Sequence, residues 1–422
     1  MTPSRLAAIG VIYFAVAFAW FTLGASVTAR TGEADSRLSK EVAQLWGGRH
    51  VQLAPDAWYE ISRSVTEMAE EKEAKGRVKR RPVTRTVVDR VAVPLTASAV
   101  GVELALDPRR KGLLWYDTYA VRYRAQHRFR NDGREPRDIR VHFAFPSTEA
   151  IYDGFRLVLD GREAQRVTDL SSGLTATTLV PPGADAVLQV EYRSRGLGDW
   201  TYAFNKDGIA QVTDFRLDLA TDFDGFDFPP GGLSPTSLER RAGGAALAWN
   251  FESLVTGQRI ALEPPHRLNP GPLAARITFF APVSLLFFFA VLVVLGVLRG
   301  RSLHPMNYLF LAAAFFSFHL LLVYLVDHVD LHASFAIAAA TSVLLVTSYL
   351  RLVTGLRTAL LEAGLAQAVY LVLFSYAFFF EGYAGLTVTI GAVLTLFVLM
   401  QLTGRVDWGR AFAGEAAPRA AG

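Results

Sequence analysis

Apolar positions along this chain follow two rhythms. From 6 to 23, and repeatedly from 277 to 403, they run almost unbroken, whereas between 30 and 272 they are interspersed with polar residues. A bilayer core of ~30 Å needs about 20 apolar residues as a helix. Six stretches supply that length or nearly so: 6–26, 277–298, 307–326, 333–350, 359–380 and 386–403. Unpaired backbone groups are too costly in lipid for any open structure, so these runs are expected as membrane helices, the last four joined by short hairpins.

The intervening segment has the other period. In YAVRYRAQHRF (119–129), Tyr119, Val121, Tyr123, His127 and Phe129 share one face, while Arg122, Arg124 and Arg128 share the other. Alternation of this kind marks a half-buried strand. Ile139, Val141, Phe143 and Phe145 repeat it across a turn containing Asn131, Asp132 and Gly133. Further strands are expected at 155–159, 187–193 and 212–220, between Asp-Gly, Pro-Pro-Gly and Gly-Asp turns. Residues 34–46 read as a helix with Leu38, Val42 and Leu45 on one face, and a second, charged helix is expected over about 62–75. The fold class that follows is a membrane protein with one N-terminal transmembrane helix, an extracytoplasmic β-rich, sandwich-like domain and a C-terminal five-helix transmembrane bundle. The domains are expected as 1–29, 30–272, 273–404 and a cytoplasmic tail 405–422.

Composition narrows this further. Apolar residues are 51% and charged residues 19%, too apolar for an ordinary soluble domain and too charged for a bundle alone. The net charge of +4 is small and dispersed, which gives nucleic-acid binding no support. The absence of cysteine excludes disulfides, thiolate metal sites and cysteine nucleophiles. Six of eleven residues in KGRVKRRPVTR (75–85) are basic; a solvated loop is preferred there over a site for anionic headgroups or envelope polymers, because EMAEEKE precedes it.

Basic residues also set the orientation. Arg299, Arg301, Arg351, Arg357, Arg405, Arg410 and Arg419 follow the second, fourth and sixth spans, while the loops 327–332 and 381–385 hold no Lys or Arg. By the positive-inside rule both termini are expected in the cytoplasm and 30–272 outside. The first span is expected as an uncleaved helix rather than a signal peptide: it is long for an h-region and carries Trp20 and Phe21 where an interfacial anchor would sit.

The chemistry on offer is sparse. No HExxH, G-x-S-x-G, P-loop or dinucleotide fingerprint occurs, so no catalytic residue and no cofactor is expected. Polar groups inside spans are costly and often functional; these are His319 and Gln367, with Glu362 near an inner end. Interhelical hydrogen bonding is preferred for them over a proton or ion path. The turn DHVDLH places Asp327, His328, Asp330 and His332 between spans three and four at headgroup depth. The residues suit Zn²⁺ in type, but side chains in one tight turn diverge and only Glu381 of the next outer loop could join them. A structural turn without metal is expected, with His332 silent.

The order of several motifs resembles the CreD family of bacterial inner-membrane proteins. They are Arg276, RSLHPMNYLFLAAAFFSFHLLL (301–322), Asp327-His328, ASFAIAAA (333–340), SYL (348–350) and TGRVDW (403–408). DPRRKGLLWYDTYAVRYRAQHRF (107–129) and LWGG (45–48) add to the likeness. Phe279, Phe280, Gly296 and His319 depart from the family pattern, as in a divergent member. The resemblance implies an inner-membrane protein of envelope integrity or envelope stress response, without catalytic activity, and, by placing a histidine after an acid at 327–328, makes His328 the member of that turn that matters for stability. Its expected partners are membrane lipids and other envelope proteins. A small-solute or ion carrier is the alternative, and an enzyme acting on lipid-linked envelope material ranks third.

Overall fold

The protein is described here from a computed structural model, in which the described residues are 2–72, 78–164, 169–206, 208–300, 303–380 and 382–406. Two compact units emerge, Met1–Arg37 with Leu268–Gly422, and Leu38–Arg267.

The second unit is β-rich. Its largest sheet has eight strands in the order Arg162–Glu163, Asp153–Leu159, Asp185–Leu197, Thr118–Arg130, Leu95–Leu106, Ala210–Thr221, Gly244–Thr256 and Ser237–Arg241. All neighbours are antiparallel except Leu95–Leu106 with Ala210–Thr221. A second sheet orders Leu174–Val180, Arg137–Phe143, Asp56–Lys72 and Val78–Val93. A third joins His50–Leu53, Trp200–Ala203 and Ile260–Leu262.

One hydrophobic core takes side chains from these three sheets, which makes the unit a sandwich, and a separate two-stranded sheet pairs Arg109–Lys111 with Leu114–Tyr116. Tyr119, Val121, Tyr123, Ala125 and Phe129 point into it, and the intervening arginines stay in water. Period two assigns these faces, because successive Cβ atoms in a strand point oppositely. Tyr123 stacks on Tyr192 at 4.9 Å, a contact worth about 1 kcal/mol beyond the area buried. On the solvent face the charges pair across strands, as in Arg122–Glu103 at 3.2 Å and Arg124–Glu191 at 2.8 Å.

The expected helix over 62–75 is a strand instead. Asp56–Lys72 pairs with Val78–Val93 along its whole length, from Ala57 opposite Val93 to Lys72 opposite Val78. Residues 62–67 face Val83-Thr84-Arg85-Thr86-Val87-Val88, a run rich in β-branched residues, and that pairing overrides the local helix propensity. The pairing also sets Arg63 2.7 Å from Asp89 and Thr66 3.2 Å from Thr84. The part of the basic run at 75–77 lies outside the described residues.

Among the described residues six helices are long and apolar enough to cross a membrane: Pro3–Trp46, Pro270–Leu298, Pro305–Leu325, Leu331–Thr354, Ala359–Phe379 and Ala384–Thr403. They are called spans one to six below. Span one continues as a single helix through the boundary expected at residue 29, so the segments 6–26 and 34–46 are one element. It stops at Gly47, whose φ of +110° suits glycine, and where a Cβ would lie 2.1 Å from the Arg195 carbonyl oxygen. Trp20, expected as an interfacial anchor, is fully buried, 5.9 Å from Phe316 and 5.4 Å from His319 by ring centroid. Span five is irregular: Ala359–Gly364 and Ala368–Leu373 are π-helical, with the α-helical Leu365–Gln367 between them. Widened turns of this type tend to occur at functional positions.

Candidate functional site

The turn after span three is an electrostatic fastening. Asp327 forms an ion pair with Arg30 of span one at 3.1 Å, and the same guanidinium lies 5.6 Å from the Tyr324 ring centroid. Sequence reasoning left Asp327 unpaired at the water boundary because Arg30 is almost three hundred positions away. Asp330 caps span four, its carboxylate accepting from the His332 amide at 3.0 Å, the job expected of an aspartate just before a helix. The two histidines differ in their surroundings. His332 lies parallel to Phe379 of span five at 5.2 Å. His328 is exposed, and among the described residues its only hydrogen bond is from its backbone amide to Leu325, at 2.8 Å. Helix periodicity explains this: His332 falls on the same face as Phe335, which also meets Phe379, while the turn aims His328 outward.

Four residues from a single turn therefore serve an ion pair, a cap, a ring contact and solvent. Among the described residues no three His, Asp or Glu side chains gather closely enough to hold a metal ion. Glu381 lies outside the described residues.

Deeper in the bundle, His319 is buried and its Nδ1 pairs with the carbonyl of Phe315, one turn back in its own helix, at 3.0 Å. The expected interhelical bond is replaced by ring contacts with Trp20 and with Phe318 at 4.8 Å. Gln367 is fully buried between the two π-helical turns. Its Nε2 donates to Ser342 Oγ of span four at 2.9 Å, and Ser342 donates to the Ala314 carbonyl of span three at 2.6 Å. Three helices are thereby joined through two side chains. Ser342 carries no signal in the sequence beyond being a small polar residue within a span. Glu362 pairs with Arg299 at the ends of spans five and two.

The β-unit buries polar groups that sequence reasoning did not single out. Ser98 Oγ and His127 Nδ1 share a 2.9 Å hydrogen bond on adjacent strands. In form this is a nucleophile beside a base, but both residues are buried in the core, out of a substrate's reach. Loss of solvation lowers the His127 pKa to about 3 and that of the fully buried His50 to about 4, the latter against a smaller opposing pull from the Gly48 backbone. Both rings are neutral at pH 7. Gln52, also fully buried, donates to the Leu53 carbonyl at 2.9 Å and accepts from the Tyr192 hydroxyl at 2.8 Å. The opposite case is His266, half-exposed, with one ring nitrogen on Asp117 and the other on Glu263 at 2.8 Å. The Asp117 contact chiefly, with help from Glu263, raises its pKa.

A trough of about 540 Å³ crosses the solvent face of the large sheet, floored by Gly101, Ala246 and Ala248 and flanked by arginines. Arg122, Arg124, Arg216 and Arg241 each engage a carboxylate there, so the trough is charge-matched.

Comparison with known proteins gives one family. The family described as "Inner membrane protein CreD" matches residues 272–409, the segment that carries spans two to six. No curated protein matches the chain. Among solved structures, a protein of Legionella pneumophila subsp. pneumophila str. Philadelphia 1, described as a "putative nutrient binding protein", is similar at 11% identity. The likeness has a TM-score of 0.29 and covers 47% of this chain and 71% of that one.

Proposed function

We propose that this CreD-like, multi-pass inner-membrane protein is a non-catalytic component of the bacterial envelope, holding its β-domain outside the membrane on spans one and two, with both termini inside. The family match over spans two to six carries the inner-membrane assignment. The orientation rests on seven arginines in one set of loops and tails against no basic residue in the other. A binding role suits a domain whose Ser98–His127 pair is sealed in its core and whose solvent face is a ladder of paired charges. Other envelope proteins and membrane lipids are its expected partners.

Topology is tested with reporter fusions in intact cells. Those ending near 355 should report cytoplasm and those near 329 the outside; the reverse pattern would overturn the reading. The envelope role is tested by deleting the protein and measuring detergent and antibiotic permeability, with unchanged permeability counting against it.

One observation favours a second reading, a carrier for a small solute or ion. Gln367 is buried between two π-helical segments, where a span departs from regular geometry beside a polar group. A solute-coupled current in liposomes, abolished by Gln367→Leu, would favour the carrier.

A further inference from the structure

The ladder of matched charges on the solvent face of the large sheet breaks at one rung. Where Glu103, Arg122, Arg193 and Asp153 stand abreast on four adjacent strands, each base has its acid, Arg122 with Glu103 at 3.2 Å and Arg193 with Asp153 at 2.8 Å. Two residues along, the same face reads Ala105, Ala120, Arg195. Methyl groups stand where acids would balance the charge, and Arg195 forms no ion pair among the described residues.

That rung floors a trough of about 480 Å³, within the size range of small-molecule sites. Its walls come from Leu45 and Trp46, the last residues of the helix Pro3–Trp46, and from Ile151. Leu45 is 59% and Ile151 75% exposed. Single exposed apolar residues are ordinary, but two that line the same hollow as two alanine methyls leave a concave apolar surface in water. Arg195 is placed before any ligand arrives. Its guanidinium lies 5.1 Å from the Trp46 ring centroid, and its carbonyl oxygen is where a Cβ on Gly47 would come within 2.1 Å. The ring contact leaves the N–H fork of Arg195 without an acceptor among the described residues. Arg109, which also lies over Trp46 at 4.2 Å, bonds Asp107 at 3.1 Å. With Arg122 and Arg193 paired as well, Arg195 is the cation left over.

We propose that this trough binds a small amphipathic carboxylate, its anionic head on Arg195 and its apolar body against Ala105, Ala120, Leu45 and Ile151. One guanidinium matches one carboxylate through two parallel N–H···O bonds. A phosphate monoester carries more charge than one guanidinium balances. A neutral apolar ligand would shut water away from Arg195 without replacing it. The site lies wholly within the β-rich unit and holds on either side of the membrane, so the reporter fusions test orientation independently of it.

The chain has no cysteine, so Ile151→Cys gives the full-length protein a single reactive thiol at the rim of the trough. The protein is held in lipid nanodiscs, the probe is sodium octanoate, and the rate of maleimide labelling is read. Octanoate should slow labelling severalfold, while Val255→Cys, 66% exposed and outside the trough, reacts at an unchanged rate. Octanamide, of equal length and uncharged, should protect far less. Adding Arg195→Gln should weaken octanoate protection about tenfold or more, the effect of losing a charge-assisted hydrogen bond. Arg195→Lys keeps the charge without the fork and should fall between. Ala120→Leu fills the floor, leaves Arg195 in place and should abolish protection. An unchanged melting temperature certifies the fold of each variant. Equal protection by octanamide, undiminished protection in Arg195→Gln, or no protection at millimolar octanoate would each overturn the proposal. Protection by inorganic phosphate alone would overturn it in favour of an inorganic anion. A lower melting temperature in Arg195→Gln, with octanoate protecting neither it nor its parent, would reduce Arg195 to a brace for Trp46.

Discussion

The two units treat their buried hydroxyls differently. In the bundle, buried hydroxyls find backbone carbonyls: Thr278 bonds Ala274 at 2.7 Å, Ser342 bonds Ala314 at 2.6 Å, and Ser284 reaches Tyr370. In the β-unit the Tyr123 and Tyr202 hydroxyls are buried with no hydrogen-bond partner among the described residues, whereas the bundle's unpartnered buried atoms there are not hydroxyls but Trp20 Nε1, His319 Nε2 and Gln367 Oε1. Lipid offers nothing else to bond to, and a helix has a carbonyl within reach of most hydroxyls. A sandwich core of aromatic rings has neither the pressure nor the nearby acceptors. The β-unit should therefore be the part that single substitutions and pH break first, and the bundle the part that absorbs them.

The largest test is a charge in each face of the strand Thr118–Arg130. Tyr123→Asp buries a carboxylate beside Tyr192 and should cost at least about 4 kcal/mol, unfolding the domain. Arg122→Asp acts in water and should cost under about 1 kcal/mol through its ion pair with Glu103. Near-UV circular dichroism of the full chain in detergent reads both. Equal losses would mean that the faces were misassigned.

Those faces were legible because a strand reveals itself locally: one residue in, the next out. The bundle was legible only as lengths. The six spans are recoverable from runs of apolar residues, but which face of each meets a neighbour depends on positions far apart in sequence, since lipid and protein interior are equally apolar. Hence Trp20 was expected at an interface and lies in the core, and Asp327 was expected alone and holds Arg30. The arm at 56–93 was missed for a third reason: its acidic half has helical composition, and only its partner strand makes it β.

Acid is the next test. His50 and His127 are neutral when folded, with pKa values near 4 and 3, and titrate normally near 6.5 once unfolded. Their contribution is present above pH 6.5 and is lost as pH falls, by about 3 kcal/mol each at pH 4. The double substitution His127→Phe with Ser98→Ala should flatten the acid limb of a plot of Tm against pH by about half; an unchanged limb would count against the assignment. His266 has the opposite sign. Its raised pKa stabilises below the ordinary histidine range and is lost as pH rises through the shifted value. That effect is small because the ring is half-exposed, and His266→Gln should remove it.

Two buried glutamines give a smaller and more direct comparison. Gln52→Leu strands the Tyr192 hydroxyl and two backbone acceptors in the β-core, and should cost about 2 kcal/mol. Gln367→Leu leaves Ser342 still bonded to Ala314, and bonds between membrane helices average about 0.6 kcal/mol. Denaturant midpoints for the two variants should differ accordingly. The reverse order would mean that the bundle, and not the sandwich, depends on its buried amides.

The smallest effects lie in the turn between spans three and four. His332 stacks on Phe379, so His332→Ala removes a ring contact between spans four and five and should cost about 0.5–1 kcal/mol. His328 is exposed with its side chain unbonded among the described residues, so His328→Ala should be silent within about 0.3 kcal/mol. The family resemblance argues the reverse, because it places a histidine after an acid at 327–328 and says nothing of which histidine the helix carries inward. Phenylalanine at 332 decides whether the contact is the ring's: His332→Phe should retain the stability that alanine loses. If instead His328→Ala is the damaging change, the turn is fastened by its exposed edge, and the stacking on Phe379 contributes nothing measurable.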